Sequence, residues 1–142
     1  MQPATSAAIR AIWTKVHSPA GFPFPSTVAA LTQLGVTRYR ADYTTNTVTA
    51  YIDFTGETDV APLAINNHLG TAGQKWSLDG LRKAIQNAQA GVGNYHDFSA
   101  AAVAAGVAEY TCYIVGKKVV YAGVLGELHT EWFPGARLEE EE

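Results

Sequence analysis

A junction between a helix and a strand occurs twice in this chain, and it governs which folds the sequence can adopt. Residues 28–39 carry a helical pattern that ends at Gly35 and a strand pattern that follows it, and residues 99–110 do the same around Gly106. Positions 35 and 106 differ by 71, and like residues recur at that offset: Val36 with Val107, Tyr39 with Tyr110, and Val48 with Val119. The repeat predicts an internal duplication.

Two helices are predicted in the first half. The first covers about residues 5–17, with a cap formed by Thr5 or Ser6 and a stripe of apolar residues at helical spacing. Three prolines within residues 18–25 end this helix, because proline cannot continue it. The second helix covers about residues 26–34 and ends at the glycine of the first junction.

The second half shows the same pair of helices. Ser77 is the predicted cap of a helix that Gly91 and Gly93 end. Asn94 is the predicted cap of a helix over about residues 95–105.

Each pair of helices is followed by a predicted hairpin whose apolar residues alternate with polar ones. In the first strand one face carries Thr37, Tyr39, Ala41 and Tyr43, and the other carries Arg38, Arg40 and Asp42. The returning strand places Val48, Ala50, Ile52 and Phe54 on its apolar face. The second hairpin has Ala108, Tyr110, Cys112 and Ile114, a turn at residues 116–117 and a return over 119–125. Short further strands are predicted over residues 60–65 and 128–133, and residues 66–73 are predicted as a loop.

These elements predict an α+β fold. Two helix-helix-strand-strand repeats, at about residues 5–54 and 77–126, form one antiparallel sheet with the helices on one face. A pseudo-twofold axis would relate the two halves. Residues 1–138 form a single domain, and the acidic residues 139–142 form a disordered tail.

Composition limits the classes of function. The 142 residues are 47% hydrophobic and 16% charged, which is typical of a soluble globular protein. The net charge of −3 argues against binding to nucleic acid or an anionic membrane. No stretch approaches the roughly 20 apolar residues that span a bilayer, and Arg10 and Lys15 interrupt any signal-peptide core. The single cysteine excludes an internal disulfide and a thiolate metal cluster. We therefore expect a cytoplasmic protein.

Several short motifs occur in a characteristic order: His17-Ser18, Gly21-Phe22-Pro23, Leu34-Gly35-Val36 with Tyr39, Gly91 with Tyr95 and Phe98, and Ala105-Gly106-Val107. Over about residues 8–126 this pattern resembles domain-of-unknown-function family 1398, small bacterial proteins sometimes labelled phage envelope protein. Tyr110 departs from the pattern, because a tryptophan is common there. The resemblance implies no particular activity and carries no catalytic residue over to this chain.

The catalytic candidates are His17, Asp42 and Tyr43. His17 follows the first predicted helix and precedes a glycine-proline loop, where an imidazole can act as a general base or a ligand. The structural alternative is that His17 interacts with the negative end of the helix dipole. Asp42 and Tyr43, at the end of the first strand, are the residues that would assist it.

Other reactive residues favour structural roles. His96 and Asp97 are sequence neighbours, which rarely face each other as an oriented pair, and an acid is favoured in the first turn of a helix. Cys112 alternates with buried residues, and a buried thiol is inert. His68 and His129 lack partners at metal-ligand spacing, and no phosphate-binding or dinucleotide-binding motif is present. We expect no metal and no cofactor.

Arg38, Arg40 and Glu109 are the interface candidates. Arg38 corresponds to Glu109 at the offset of 71, so two such sheets in contact would bring opposite charges together, as symmetric dimers require. A solvated sheet face is the structural alternative. The leading hypothesis is a small cytoplasmic binding or interaction domain that forms a homodimer through its sheet, with its small-molecule ligand, if any, unspecified. The alternative is a small enzyme that uses His17 in a cleft between the two repeats.

Overall fold

A computed structural model describes residues 1–63 and 75–136. Its elements follow one another along the chain as α1 (Pro3–His17), α2 (Phe24–Gln33), β1 (Arg38–Asp42), β2 (Thr47–Ile52), β3 (Glu57–Pro62), α3 (Leu78–Gln89), α4 (Tyr95–Ala104), β4 (Val107–Tyr113), β5 (Lys118–Gly123) and β6 (Leu128–Trp132). The strands form one sheet in the order β3-β2-β1-β4-β5-β6, and every neighbouring pair is antiparallel. The prediction of an α+β fold with an antiparallel sheet is confirmed.

The core lies between the helices and one face of the sheet. Each helix contributes buried residues to it, led by Ile9, Leu31, Leu81 and Val103, which are almost completely inaccessible. The sheet contributes Tyr39, Ala41, Tyr43, Val48, Ala50, Cys112, Val119 and Tyr121. These strand residues alternate along each strand with residues that the helices leave partly exposed. Antiparallel sheets commonly keep one face in contact with the core and one in contact with solvent, and this sheet does so.

The helix starts differ in how well they follow the sequence pattern. The predicted caps at Ser77 and Asn94 are confirmed, since Ser77 Oγ accepts a hydrogen bond from Gly80 N and Asn94 forms a capping box with Asp97. The predicted cap at Thr5 or Ser6 is wrong, because α1 begins two residues earlier at Pro3. α2 likewise begins at Phe24 rather than near residue 26. Proline is tolerated in a first helical turn, where its missing N–H has no intrahelical acceptor anyway.

Two pairs of corresponding elements in the two halves begin and end at positions that differ by the same number of residues. The bounds of α2 and α4 differ by 71 residues, and so do the bounds of β2 and β5. Asn46 and Lys117, also 71 apart, both have a φ near +60° in their hairpin turns. Arg40 and Thr111 are Cα partners in the central β1–β4 pairing, so a twofold axis relating the halves would pass between them. The structure is therefore compatible with the predicted duplication, which stays a prediction.

Each half contains a third strand that the two-strand repeat does not include. β3 covers 57–62 instead of the predicted 60–65, and β6 continues the sheet at the opposite edge. In the first half Thr47 pairs with Pro62. At the offset of 71, Lys118 would therefore pair with residue 133, but it pairs with Trp132. A shift of one residue reverses the side chains of a strand, so the two edge strands do not match face for face.

Two details of the returning strands were predicted wrongly. β2 ends at Ile52, and Phe54, assigned to its apolar face, lies in the following turn with 86% of its surface exposed. β5 ends at Gly123, and Leu125 is equally exposed in the turn after it. The predicted loop at 66–73 and the predicted tail at 139–142 lie outside the described residues. None of the helices over residues 1–63 and 75–136 has the length and apolar character needed to cross a membrane.

Candidate functional site

A pocket with a volume of about 460 Å³ opens between the C-terminal half of α1 and the end of β3. This volume falls within the range of roughly 300–1,000 Å³ that is common for small-molecule sites. The residues that line it are Arg10, Trp13, Thr14, His17, Ser18, Ala61 and Pro62. All of these lining residues, within the part of the chain that the structure describes, belong to the first half.

His17 is the only catalytic candidate that lines this pocket. Its ring contacts the ring of Tyr95 on α4, with 5.4 Å between the ring centroids. Burial, assisted by the nearby positive form of His96, lowers the pKa of His17 from its ordinary 6.5 to about 4. The imidazole is therefore neutral at pH 7. The structural alternative, in which His17 interacts with the helix dipole, needs the imidazolium and stays a prediction.

Replacing His17 with glutamine is expected to make the protein less sensitive to acid. Between pH 6.5 and 4 the unfolded chain binds a proton at this position and the folded chain does not, so stability is lost as the pH falls. Full burial would make the loss larger, but solvent screening of a partly exposed ring reduces it to about 1–2 kcal/mol. Urea denaturation of both proteins at pH 7.5 and 4.5 measures the difference, with His129→Gln as the control. Equal acid sensitivity in wild type and His17→Gln would contradict the assignment.

Asp59 ties α1 to the edge of the sheet beside this pocket. Its carboxylate accepts hydrogen bonds from Ser6 Oγ at 2.5 Å and from Arg10 Nε at 3.3 Å, and only 8% of the residue is exposed. Arg10 also donates to the carbonyl of Val60 at 3.0 Å. Sequence reasoning missed Asp59 because it placed the strand three residues too late. Its sequence gives no alternation to mark the strand, because residues 57–59 are polar and residues 60–62 are apolar.

The other two catalytic candidates lie apart from His17. Asp42 Oδ1 accepts hydrogen bonds from the backbone N–H groups of Thr44 and Thr45, at 2.8 and 3.1 Å, and so stabilises the turn after β1. Tyr43 is buried beneath α4, where its hydroxyl donates to Ser99 Oγ at 3.1 Å. Burial raises the pKa of Tyr43 well above 10, so its hydroxyl stays protonated. The structure does not assemble these three residues into one constellation.

The remaining reactive side chains lie in the core or at its edge. Burial raises the pKa of the Cys112 thiol to about 12, so it is not an activated nucleophile. His129 Nε2 lies 3.2 Å from Glu131 Oε1 at the β6 edge of the sheet. Over residues 1–63 and 75–136 no three metal-binding side chains come together, and His68 lies outside those ranges.

The sheet surface opposite the helices, which we call the open face, consists of three rows of side chains that run across all six strands. The register of the sheet defines them. The cationic row is Thr58, Tyr51, Arg38, Tyr113, Lys118 and Trp132. The middle row is Val60, Thr49, Arg40, Thr111, Val120 and Thr130. The acidic row is Pro62, Thr47, Asp42, Glu109, Ala122 and Leu128.

All three interface candidates lie on the open face. Arg38 donates to Asp53 at 3.0 Å and lies over the ring of Tyr51, 3.8 Å from its centroid. Arg40 lies 3.7 Å from Glu109 across the central strand pair. These contacts within one chain orient the two arginines along the open face. Arg38 lies opposite Tyr113, which is four residues from Glu109, so Arg38 and Glu109 do not pair with each other inside the monomer.

Over residues 1–63 and 75–136 the fold and its open face thus define a two-layer α+β arrangement with four helices on one side of a six-stranded sheet. The chain belongs to the family described as protein of unknown function (DUF1398), the profile of which matches residues 10–131. The family resemblance read from the sequence motifs is confirmed. A search of curated proteins finds no match to the chain.

Proposed function

We propose that this chain is a cytoplasmic interaction domain without enzymatic activity that forms a homodimer through the open face of its sheet. The observation that carries the proposal is the open face itself. Six strands present three complete rows of side chains there, and the four described helices all pack on the other side. A broad and partly apolar sheet surface is a common place for a protein to bind a partner.

The residue types of the open face support an interface. Aromatic residues and arginine are enriched where proteins meet, and this surface carries Tyr51, Tyr113 and Trp132 together with two arginines. Two large apolar side chains are also exposed on it, Val60 at 54% and Leu128 at 67%. Much of the rest is threonine, which packs well on a pleated surface and tolerates partial hydration.

The open face is large enough for a stable dimer. Six strands about 4.8 Å apart span ~29 Å, and about six residues along a strand span ~20 Å. The product is roughly 580 Å² on each protomer, or about 1,200 Å² in total, which is the lower end of specific interfaces.

The mass of the protein in solution tests the proposal. Sedimentation equilibrium is expected to give twice 15.2 kDa at micromolar concentration and a shift toward the monomer on dilution. A mass of 15.2 kDa at the highest concentration that remains soluble would overturn the dimer.

A second candidate function is catalysis at the α1–β3 pocket. The observation that favours it is the neutral imidazole of His17 on the wall of a cavity of about 460 Å³, because a neutral imidazole can accept a proton at pH 7. Turnover of p-nitrophenyl acetate by the wild type that falls to background in His17→Gln would favour this function. Equal rates for the two proteins would exclude His17 as a base for that reaction.

A further inference from the structure

We infer that the two copies meet with the cationic row of each against the acidic row of the other, about a twofold axis that runs across the strands. This inference rests on the proposed dimer and specifies its geometry. Two sheets that pack face to face about a twofold axis have two simple choices for that axis, along the strands or across them. The charges of the open face distinguish the two.

An axis across the strands brings opposite charges together. Each side chain of an outer row then lies opposite the residue on the same strand of the second copy that belongs to the other outer row. Arg38 lies opposite Asp42 of the second copy, and symmetry repeats the pair. Lys118 lies one strand from Glu109 of the second copy. Pairs of opposite charge across an interface favour one orientation of the two proteins over others.

An axis along the strands brings acidic groups together. It would exchange β1 with β4 and leave each row facing itself, so Asp42 would lie opposite Glu109 of the second copy, twice. Two carboxylates pressed together in a partly dehydrated interface repel each other. The charge pattern therefore disfavours this axis.

The preferred axis has one unfavourable contact, which involves Arg40. It lies in the middle row, which faces the middle row of the second copy, so the two Arg40 side chains meet near the axis. Each of them has Glu109 of its own chain within 3.7 Å. Glu109 offsets the charge of Arg40 as Asp53 offsets that of Arg38. One contact between the two Arg40 side chains therefore stands against two contacts of Arg38 with Asp42 of the second copy.

The two axes also differ in which strands approach each other. With the axis across the strands, Thr49 on β2 faces Thr49 of the second copy, and the two sheets are about 10 Å apart. With the axis along the strands, Thr49 faces Val120 on β5 of the second copy. The two copies of Thr49 are then displaced sideways by three strand spacings, or about 14 Å, in addition to the distance between sheets.

Thiol crosslinking separates these arrangements. Thr49→Cys and Val120→Cys are each prepared as the full chain, with native Cys112 retained because it is completely buried. Each protein is treated alone, and then as a mixture, with a short ethylene-bridged bis-methanethiosulfonate. The control is Val92→Cys, an exposed position between α3 and α4 on the helix side. Sedimentation of each untreated variant establishes whether it is still a dimer.

We expect Thr49→Cys alone to form crosslinked dimer at least about tenfold more than Val92→Cys, because the two Thr49 positions face each other across the proposed interface and Val92 lies on the helix side. Crosslinks that appear only when Thr49→Cys and Val120→Cys are mixed would overturn this geometry in favour of the axis along the strands. A variant dimer without crosslinks in either sample would also overturn the geometry and leave the proposed dimer standing. A monomeric wild type would overturn the proposed dimer itself.

Discussion

Gly106→Ala is expected to destabilise the protein by about 3–5 kcal/mol, because two separate penalties act at this position. Gly106 has a φ of +93°, which a residue with a side chain rarely adopts. A Cβ there would also lie 2.6 Å from Cα and 2.8 Å from N of Trp76, so the obstacle is backbone. That backbone is held in place, since Ser77 N donates to the carbonyl of Ala105 at 2.8 Å.

Gly35→Ala is the matched control for this prediction. Gly35 ends α2 as Gly106 ends α4, and its φ of +84° carries a similar conformational penalty. The nearest atom to its added Cβ is Ile52 Cγ2 at 3.7 Å, an ordinary contact. We expect a loss of only about 1–2 kcal/mol. Urea denaturation of both variants measures the two losses, and equal values would show that the crossing of residues 75–77 over Gly106 contributes nothing.

Thr111→Arg is expected to weaken the dimer by at least about 100-fold, or roughly 2.7 kcal/mol. Thr111 lies in the middle row as the direct partner of Arg40. In the dimer the new guanidinium would face its own copy beside the two Arg40 side chains, with no acid added to pair with it. In the monomer the same side chain would point into solvent, so the fold is expected to persist.

Val92→Arg adds the same charge at a different surface. Val92 is 60% exposed between α3 and α4, on the side of the molecule away from the open face. We expect this variant to keep the dissociation constant of the wild type. Sedimentation of the two variants, with circular dichroism to confirm that both are folded, gives the comparison. An unchanged dimer in Thr111→Arg would show that the open face is not the interface.

Local signals in the sequence predicted most of the fold. The period of two after each junction correctly separated the buried Tyr39, Ala41 and Tyr43 from the outward arginines, because side chains alternate strictly in a strand. The glycines that end α2 and α4 were predicted for the same kind of reason, since both have a positive φ. Features that depend on a few neighbouring residues, such as strand alternation and helix ends, can therefore be predicted from the sequence.

Features that depend on distant segments were not predictable in the same way. The strand order places β1 beside β4, and nothing in either strand alone specifies that pairing. The one-residue shift at β6 follows from the geometry of the preceding turn and reverses which side chains face the core. The close approach of Trp76 to Gly106 is also invisible in the sequence, where the two residues are 30 positions apart.

The candidate site was predicted only in part. His17 was selected for its place after α1, and it does line a pocket, but the wall opposite comes from β3, whose position was misjudged. Asp42 and Tyr43 were selected because they are neighbours of a strand end. Because side chains alternate along a strand, Asp42 lies on the open face and Tyr43 lies in the core. They therefore cannot act together with His17.

Intermolecular nuclear Overhauser effects measured on a mixture of isotopically labelled and unlabelled protein test the proposed interface most directly. Contacts between the two copies are expected from the methyl groups of Thr49, Thr111 and Val120, all in the middle row of the open face. Intermolecular contacts confined to methyl groups of the four helices, or none at all, would contradict the account.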